Sequence, residues 1–229
     1  MISVDPRRKK QLDFIGITEI DLSYLKSKQG LLEQITELVV DKLYQRLIDE
    51  PELAKIIQAH SSLERLKQTQ RWYFRSMADG MIDNEYIDRR LYIGKLHSRI
   101  GLTTDWYLGT YILYLDITAS CLLPLAPDEC IEIIRVLTKM FNLDAQIVLE
   151  AYEQDEKEKI RQMADEKEHM LLKIQSAVQE LAEMMAKLHK NSQIVEQTSA
   201  HSALLQEQTA SKVVGFTESV HNMHTIAPP

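Results

Sequence analysis

Between Ala151 and Ala227 the chain holds one glycine, Gly215, and no proline. Glycine and proline punctuate helices, so their near-absence over such a length favours one long helix. A seven-residue repeat runs through it. Ile160, Lys167, Ile174, Leu181, Leu188, Val195 and Ser202 occupy one repeat position. Met163, Met170, Ala177, Met184, Asn191, Thr198 and Leu205 occupy the other. This is the seam of a coiled coil or four-helix bundle, strong from Ile160 to Val195 and weak beyond. A helix of about 60 residues spans roughly 90 Å, too long to pack on a small domain alone. It calls for a partner helix, most simply from a second copy of the chain. Lys167 and Asn191 on the seam weaken pairing while helping to fix its register.

The remainder is also helical in pattern. The whole chain of 229 residues has only seven glycines and six prolines, and no alternating strand of useful length is visible. Punctuation divides it into moderate helices. One runs Ile20 to Lys28 and ends at Gly30, and the next runs Leu31 to Asp49. A short one starts at Pro51, and another is capped by Ser61 or Ser62 and fades at Gly80. Asn84 to Ile100 follows, then a helix from Thr103 or Thr104 to Leu123, then a last one opening at Asp128. The fold class is all-α: residues 1–18 an N-terminal segment, 19–152 a compact helical domain, 153–212 a coiled-coil transmitter helix, 213–229 a disordered tail.

Composition narrows the function. A net charge of −7 argues against general nucleic-acid or anionic-membrane binding. Cys121 and Cys130 have neither zinc spacing nor a C-x-x-C motif and read as intracellular thiols. The charged N-terminus lacks the apolar core of a signal peptide, so the expected location is the cytoplasm. Trp106 to Leu125 approaches the length of a membrane span, but Asp116, Thr110, Thr118 and Ser120 within it suit a helix buried in a bundle. No Gly-rich phosphate loop, G-x-S-x-G or H-E-x-x-H occurs, and no enzymatic role is expected.

One histidine stands apart. His97 lies mid-helix, with Gly94 and Gly101 within a turn on either side. At 100° per residue it shares a face with Tyr86, Arg90, Ile93 and Ile100. A bare backbone beside a lone imidazole gives a flat cofactor room to approach, and neutral imidazole is the commonest metal ligand. A core histidine satisfied by a neighbouring carbonyl gives the same pattern. His60 reads as a loop residue, and the remaining histidines, all beyond Glu168, show no i, i+4 metal pair.

Three strings carry a resemblance: LVVDKLYQRLID around Tyr44, HSSLERLKQTQ around Thr69 and LHSRIGLTTDWYLG around His97. In their order, and with the long C-terminal helix, the chain resembles the globin-coupled sensors, above all the haem-based aerotaxis transducers of bacilli and archaea. The resemblance covers about Asp21 to Tyr152. It implies a globin-like fold, haem b as cofactor and His97 as proximal ligand to the iron through Nε2. It implies Tyr44 and Thr69 on the distal side, Thr69 donating a hydrogen bond to bound oxygen, with Leu66 limiting access. It assigns Trp106 and Tyr107 a part in relaying ligand state, and the Asp128 helix a place in a dimer core. Arg90 reads as solvated surface, a haem propionate partner being the alternative. The implied function is sensing of O2, or of CO or NO, relayed through a homodimeric bundle to chemotaxis-type partners or a longer transducer. A haem-free globin-like regulatory or adaptor protein is the alternative. The chain departs from the family in lacking a methyl-accepting hairpin or other recognisable output.

Overall fold

The structure is a computed structural model that describes residues 1–226, with side chains to Met223. Its helices are α1 (Pro6–Ile15), α2 (Glu19–Ser27), α3 (Gln29–Ile48), α4 (Pro51–His60), α5 (Leu63–Ser76), α6 (Asn84–Arg99), α7 (Thr104–Leu122) and α8 (Pro127–Ile226). Two compact units divide at Arg161/Gln162, nine residues beyond the expected boundary.

Local chemistry sets most helix starts. Asp5 accepts from the amides of Arg7 and Arg8 at the head of α1. Thr18 and Asp21 form a reciprocal capping box on α2. Pro51 opens α4, Ser62 caps α5 and Asp83 caps α6. Gly30 does not end a helix as expected; it lies in the first turn of α3. The 1–18 segment, left unassigned by pattern, contains α1 and a two-residue strand β1 (Ile2–Ser3). β1 pairs in parallel with β2 (Ile82–Asp83).

In the first unit α3 lies between α5 and α7. Its stripe of Leu32, Ile35, Val39 and Leu43 meets a core built from Phe74, Tyr114, Ile117, Val136, Leu137, Met140, Phe141 and Ile147. The apolar stretch from Trp106 is mostly α7, which buries Tyr111, Tyr114, Ile117, Thr118 and Cys121 inside this bundle. Among the described residues no helix is long and apolar enough to cross a membrane.

Two contacts tie the N-terminus to α8. Buried Arg8 pairs with Glu150 at 2.8 Å, and Lys139 and Arg135 converge on buried Asp21 at 3.0 and 2.9 Å. In the second unit every residue from 162 to 223 is exposed, seam residues Met170 and Leu188 included. Residues 213–226 are helical, where composition suggested a disordered tail; the remainder of that tail lies outside the described residues.

Candidate functional site

α6 carries His97 and is held at both ends. In its first half Tyr86, Ile87 and Arg90 are buried. At Gly94 the helix crosses α8: a Cβ there would sit 2.7 Å from Ala151 Cβ and 3.0 Å from Val148 O. The missing side chain therefore admits α8, not the face of a flat group. Gly101 serves another need. Its φ of +79° is a left-handed turn that ends α6, with Leu102 N–H donating to His97 O. Beyond His97, Ser98 donates to Asp155 at 2.7 Å and Tyr152 donates to Leu102 O at 2.7 Å.

His97 sits between these anchors. Its ring packs against Tyr107 of α7 with centroids 5.1 Å apart. Burial alone pulls the imidazole down to about 4, so it is neutral at physiological pH. Its Nδ1 is buried with no hydrogen-bond partner. The neighbouring carbonyl expected of an ordinary core histidine is missing at this atom. With no partner at Nδ1 the tautomer of the neutral ring is not fixed by the protein, so the lone pair can sit on Nε2, the nitrogen that would donate to an external group or metal.

The residues expected opposite are spread over three helices. Tyr44 of α3 is buried, which raises its phenol above the ordinary range, and hydrogen bonding to Gln70 offsets part of that rise. Gln70 Oε1 also accepts from the Tyr114 hydroxyl of α7. Gln70 was not singled out by sequence; its one signal is its place beside Thr69. Thr69 is exposed, and its hydroxyl donates to Arg65 O at 3.0 Å, the usual local bond of a mid-helix threonine. Leu66 is half-buried one turn earlier. Trp106 donates from Nε1 to Glu52 at 3.1 Å and lines a cavity of about 390 Å³ with Leu47, Leu53, Thr110 and Leu113. A second cavity of about 500 Å³ lies among Ile48, Ala54, Ile57 and Leu63.

The polar and ring contacts between α5 and α6 lie near the turn that joins them. Arg90 reaches Ser76 Oγ at 3.5 Å, and Arg89 lies 5.3 Å over the Trp72 ring. Farther from that turn, the described residues 63–71 and 91–99 share no hydrogen bond, ion pair or ring contact. Thus His97 and Tyr107 are brought together, Tyr44 joins Gln70, and the structure itself makes no link from His97 to Tyr44, Leu66, Thr69 or Trp106.

Arg90 corrects the reading of a solvated surface residue. It is 3 % exposed, pairs through Nε with fully buried Asp144 at 3.2 Å, and stacks 3.4 Å from the Tyr86 ring centroid. Asp144 also accepts from Tyr86 at 2.6 Å and Tyr73 at 2.7 Å. Burial first, and the Asp144 charge second, hold both phenols well above their ordinary range. Burial would lower the Arg90 guanidinium, but the phenols and Asp144 outweigh it, so it stays charged. No local pattern announces this cluster, because it draws on α5, α6 and α8.

The sequence profile described as Protoglobin matches residues 5–158. The heme-based aerotactic transducer HemAT of Halobacterium salinarum is 28% identical over 182 residues, covering 74% of this chain and 37% of that protein. The chain thus spans well under half the length of that relative. The globin domain of the Geobacter sulfurreducens globin-coupled sensor superposes with a TM-score of 0.54 at 26% identity, covering 64% of this chain and 95% of that domain.

Proposed function

The chain belongs to the protoglobin family, and from that premise we propose that it is a haem-based gas sensor serving aerotaxis-type signalling. The observation that carries the proposal is the neutral His97 ring with its partnerless buried Nδ1. Those residues fit haem b held through its iron by His97. When bound, haem supplies reversible ligation of O2, CO or NO.

The protein's own groups do the rest. The depressed basicity of His97 keeps a lone pair on the imidazole throughout the physiological range. In this proposal Leu66 and Tyr44 would supply an apolar and a phenolic group opposite His97, with Tyr44 hydrogen-bonded to Gln70. Thr69 would serve the ligand only if its hydroxyl gave up its bond to Arg65 O. A hydroxyl there favours a ligand that gathers negative charge, so it discriminates O2 from CO.

His97 is placed to report. Any displacement of it along α6 bears on Tyr107 by ring contact and, through Gly94, on Val148 and Ala151 of α8. The sensor domain is 19–152, and the 153–212 stretch is the transmitter. Its exposed seam pairs with a second copy. The output passes to chemotaxis signalling proteins or a longer transducer in the cytoplasm, and no catalytic step is assigned.

The test is colour. Protein expressed with ample haem should show a Soret band that shifts under O2 and CO, and His97→Ala should lose it. A colourless wild-type protein would overturn the proposal and leave a haem-free helical regulator.

A further inference from the structure

The Arg90–Asp144 cluster is not required by the proposed haem site. We infer that Asp144 is a positioning residue which, with Phe141, couples the His97 pocket to α8 through a chain of packed tyrosines. The inference rests on the function proposed above for its physiological meaning, though not for its test.

The path is continuous. His97 packs on Tyr107 at 5.1 Å. The Tyr107 and Tyr111 hydroxyls share a hydrogen bond at 2.8 Å, with their rings edge to face at 5.2 Å. Tyr111 then packs on Phe141 of α8 at 5.4 Å. Tyr73 stacks on the same Phe141 at 6.5 Å and donates its hydroxyl to Asp144 at 2.7 Å. Phe141 and Asp144 are three residues apart on α8, hence neighbours on one face. Both are essentially inaccessible to solvent.

The chemistry of the end point argues for more than stability. A buried ion pair contributes little net stability, because desolvation offsets the attraction, and an apolar pair would serve as well. What the charges do supply is geometry. Asp144 accepts from Tyr73, Tyr86 and Arg90, which come from α5 and α6, and so fixes both helices against one turn of α8. Two turns on, Gly94 meets Val148 and Ala151 without slack. α8 is therefore gripped along one face, by the helix that carries His97 at Val148 and Ala151 and by the tyrosines at Phe141 and Asp144. A close-packed pair of contacts of this kind moves between discrete arrangements rather than yielding gradually.

Hydrogen exchange of amides 138–147, the stretch around Phe141 and Asp144 ahead of the direct α6 contact at Val148, tests the coupling, in Tyr111→Phe, Tyr73→Phe and Asp144→Asn beside the wild type. The phenylalanine variants keep every ring and delete one hydroxyl, so they decide the question even if Asp144→Asn unfolds. In haem-loaded wild type, CO should change exchange in this segment about threefold. Tyr111→Phe and Tyr73→Phe should keep the Soret band and lose most of that change. A full CO response in both variants, or none in the wild type, overturns the inference. If the protein takes up no haem, the function proposed above fails, and the haem-free protein still decides the coupling. There, His97→Ala should alter exchange in 138–147 about threefold, and this effect should vanish in the Tyr111→Phe background, while amides beyond Val148, which α6 reaches directly at Gly94, need not follow. An equal effect in both backgrounds overturns it.

Discussion

Gly94 of α6 faces Ala151 of α8 with no room for a methyl group: an added Cβ would lie 2.7 Å from the alanine's own. The helix that carries His97 is thus locked to α8 one turn before the histidine. Gly94→Ala should destabilise the haem-free protein by about 1–3 kcal/mol through overpacking. Ala151→Gly in the same chain should recover part of the loss, the rest being owed to Val148 O at 3.0 Å. Urea denaturation of the wild type and the two variants checks this, and an unchanged midpoint for Gly94→Ala would count against the close crossing.

His97 gives a pH signature. Its folded-state value, about 4, lies below its ordinary value because burial disfavours the charged ring. Above about pH 6.5 neither state binds the proton, so the stability tied to the neutral ring is fully present. As pH falls from there toward 4 the unfolded chain takes up the proton first, and stability drops by about 3 kcal/mol. Unfolding free energies of haem-free wild type minus His97→Gln should carry that slope between pH 6.5 and 4. A flat difference would mean that the ring reaches solvent.

The Arg90–Asp144 pair should show the asymmetry of buried charges. Arg90→Met strands a carboxylate on α8 and should cost about 3–5 kcal/mol. Adding Asp144→Leu should return part of it, because both charges are then gone while the Tyr73 and Tyr86 hydroxyls lose their acceptor. Calorimetry of the single and double variants reads the recovery; additive losses would contradict the pairing at 3.2 Å.

Asp21 also loses its contribution in acid, for a different reason. Burial would raise its carboxyl, but Lys139, Thr18 and Arg135 outweigh that and hold it below the usual range. Its contribution is therefore complete above about pH 4 and fades as acid protonates it in the folded state. Asp21→Asn should lose about 1.5–3 kcal/mol at neutral pH, and the deficit should shrink below pH 4 in denaturant titrations.

Thr69 is exposed and bonded to its own helix, so Thr69→Val should leave thermal stability within about 0.5 kcal/mol. If the hydroxyl turns to the ligand, the same change should speed O2 release by roughly ten- to a hundredfold in stopped flow. An unchanged release rate removes Thr69 from the distal side.

Sequence alone was enough for the helical order. Pro51, Ser62 and Asn84 with its preceding Asp83 mark their helices because capping and proline chemistry act within four residues. The heptad seam and the isolation of His97 were equally legible, since both are statements of spacing. α1 was missed because its charged PRRKKQLDFI has almost no apolar period, and only contact with α8 holds it.

What the chain could not say by itself is what each face meets. Gly94 looked like clearance for a cofactor and is a helix crossing; Arg90 looked solvated and is buried on Asp144, 54 residues away. Periodicity fixes which residues share a helix face and is silent on what packs there. Only the tertiary fold brings α8 against both Gly94 and Arg90, and only it leaves His97 Nδ1 buried without a partner.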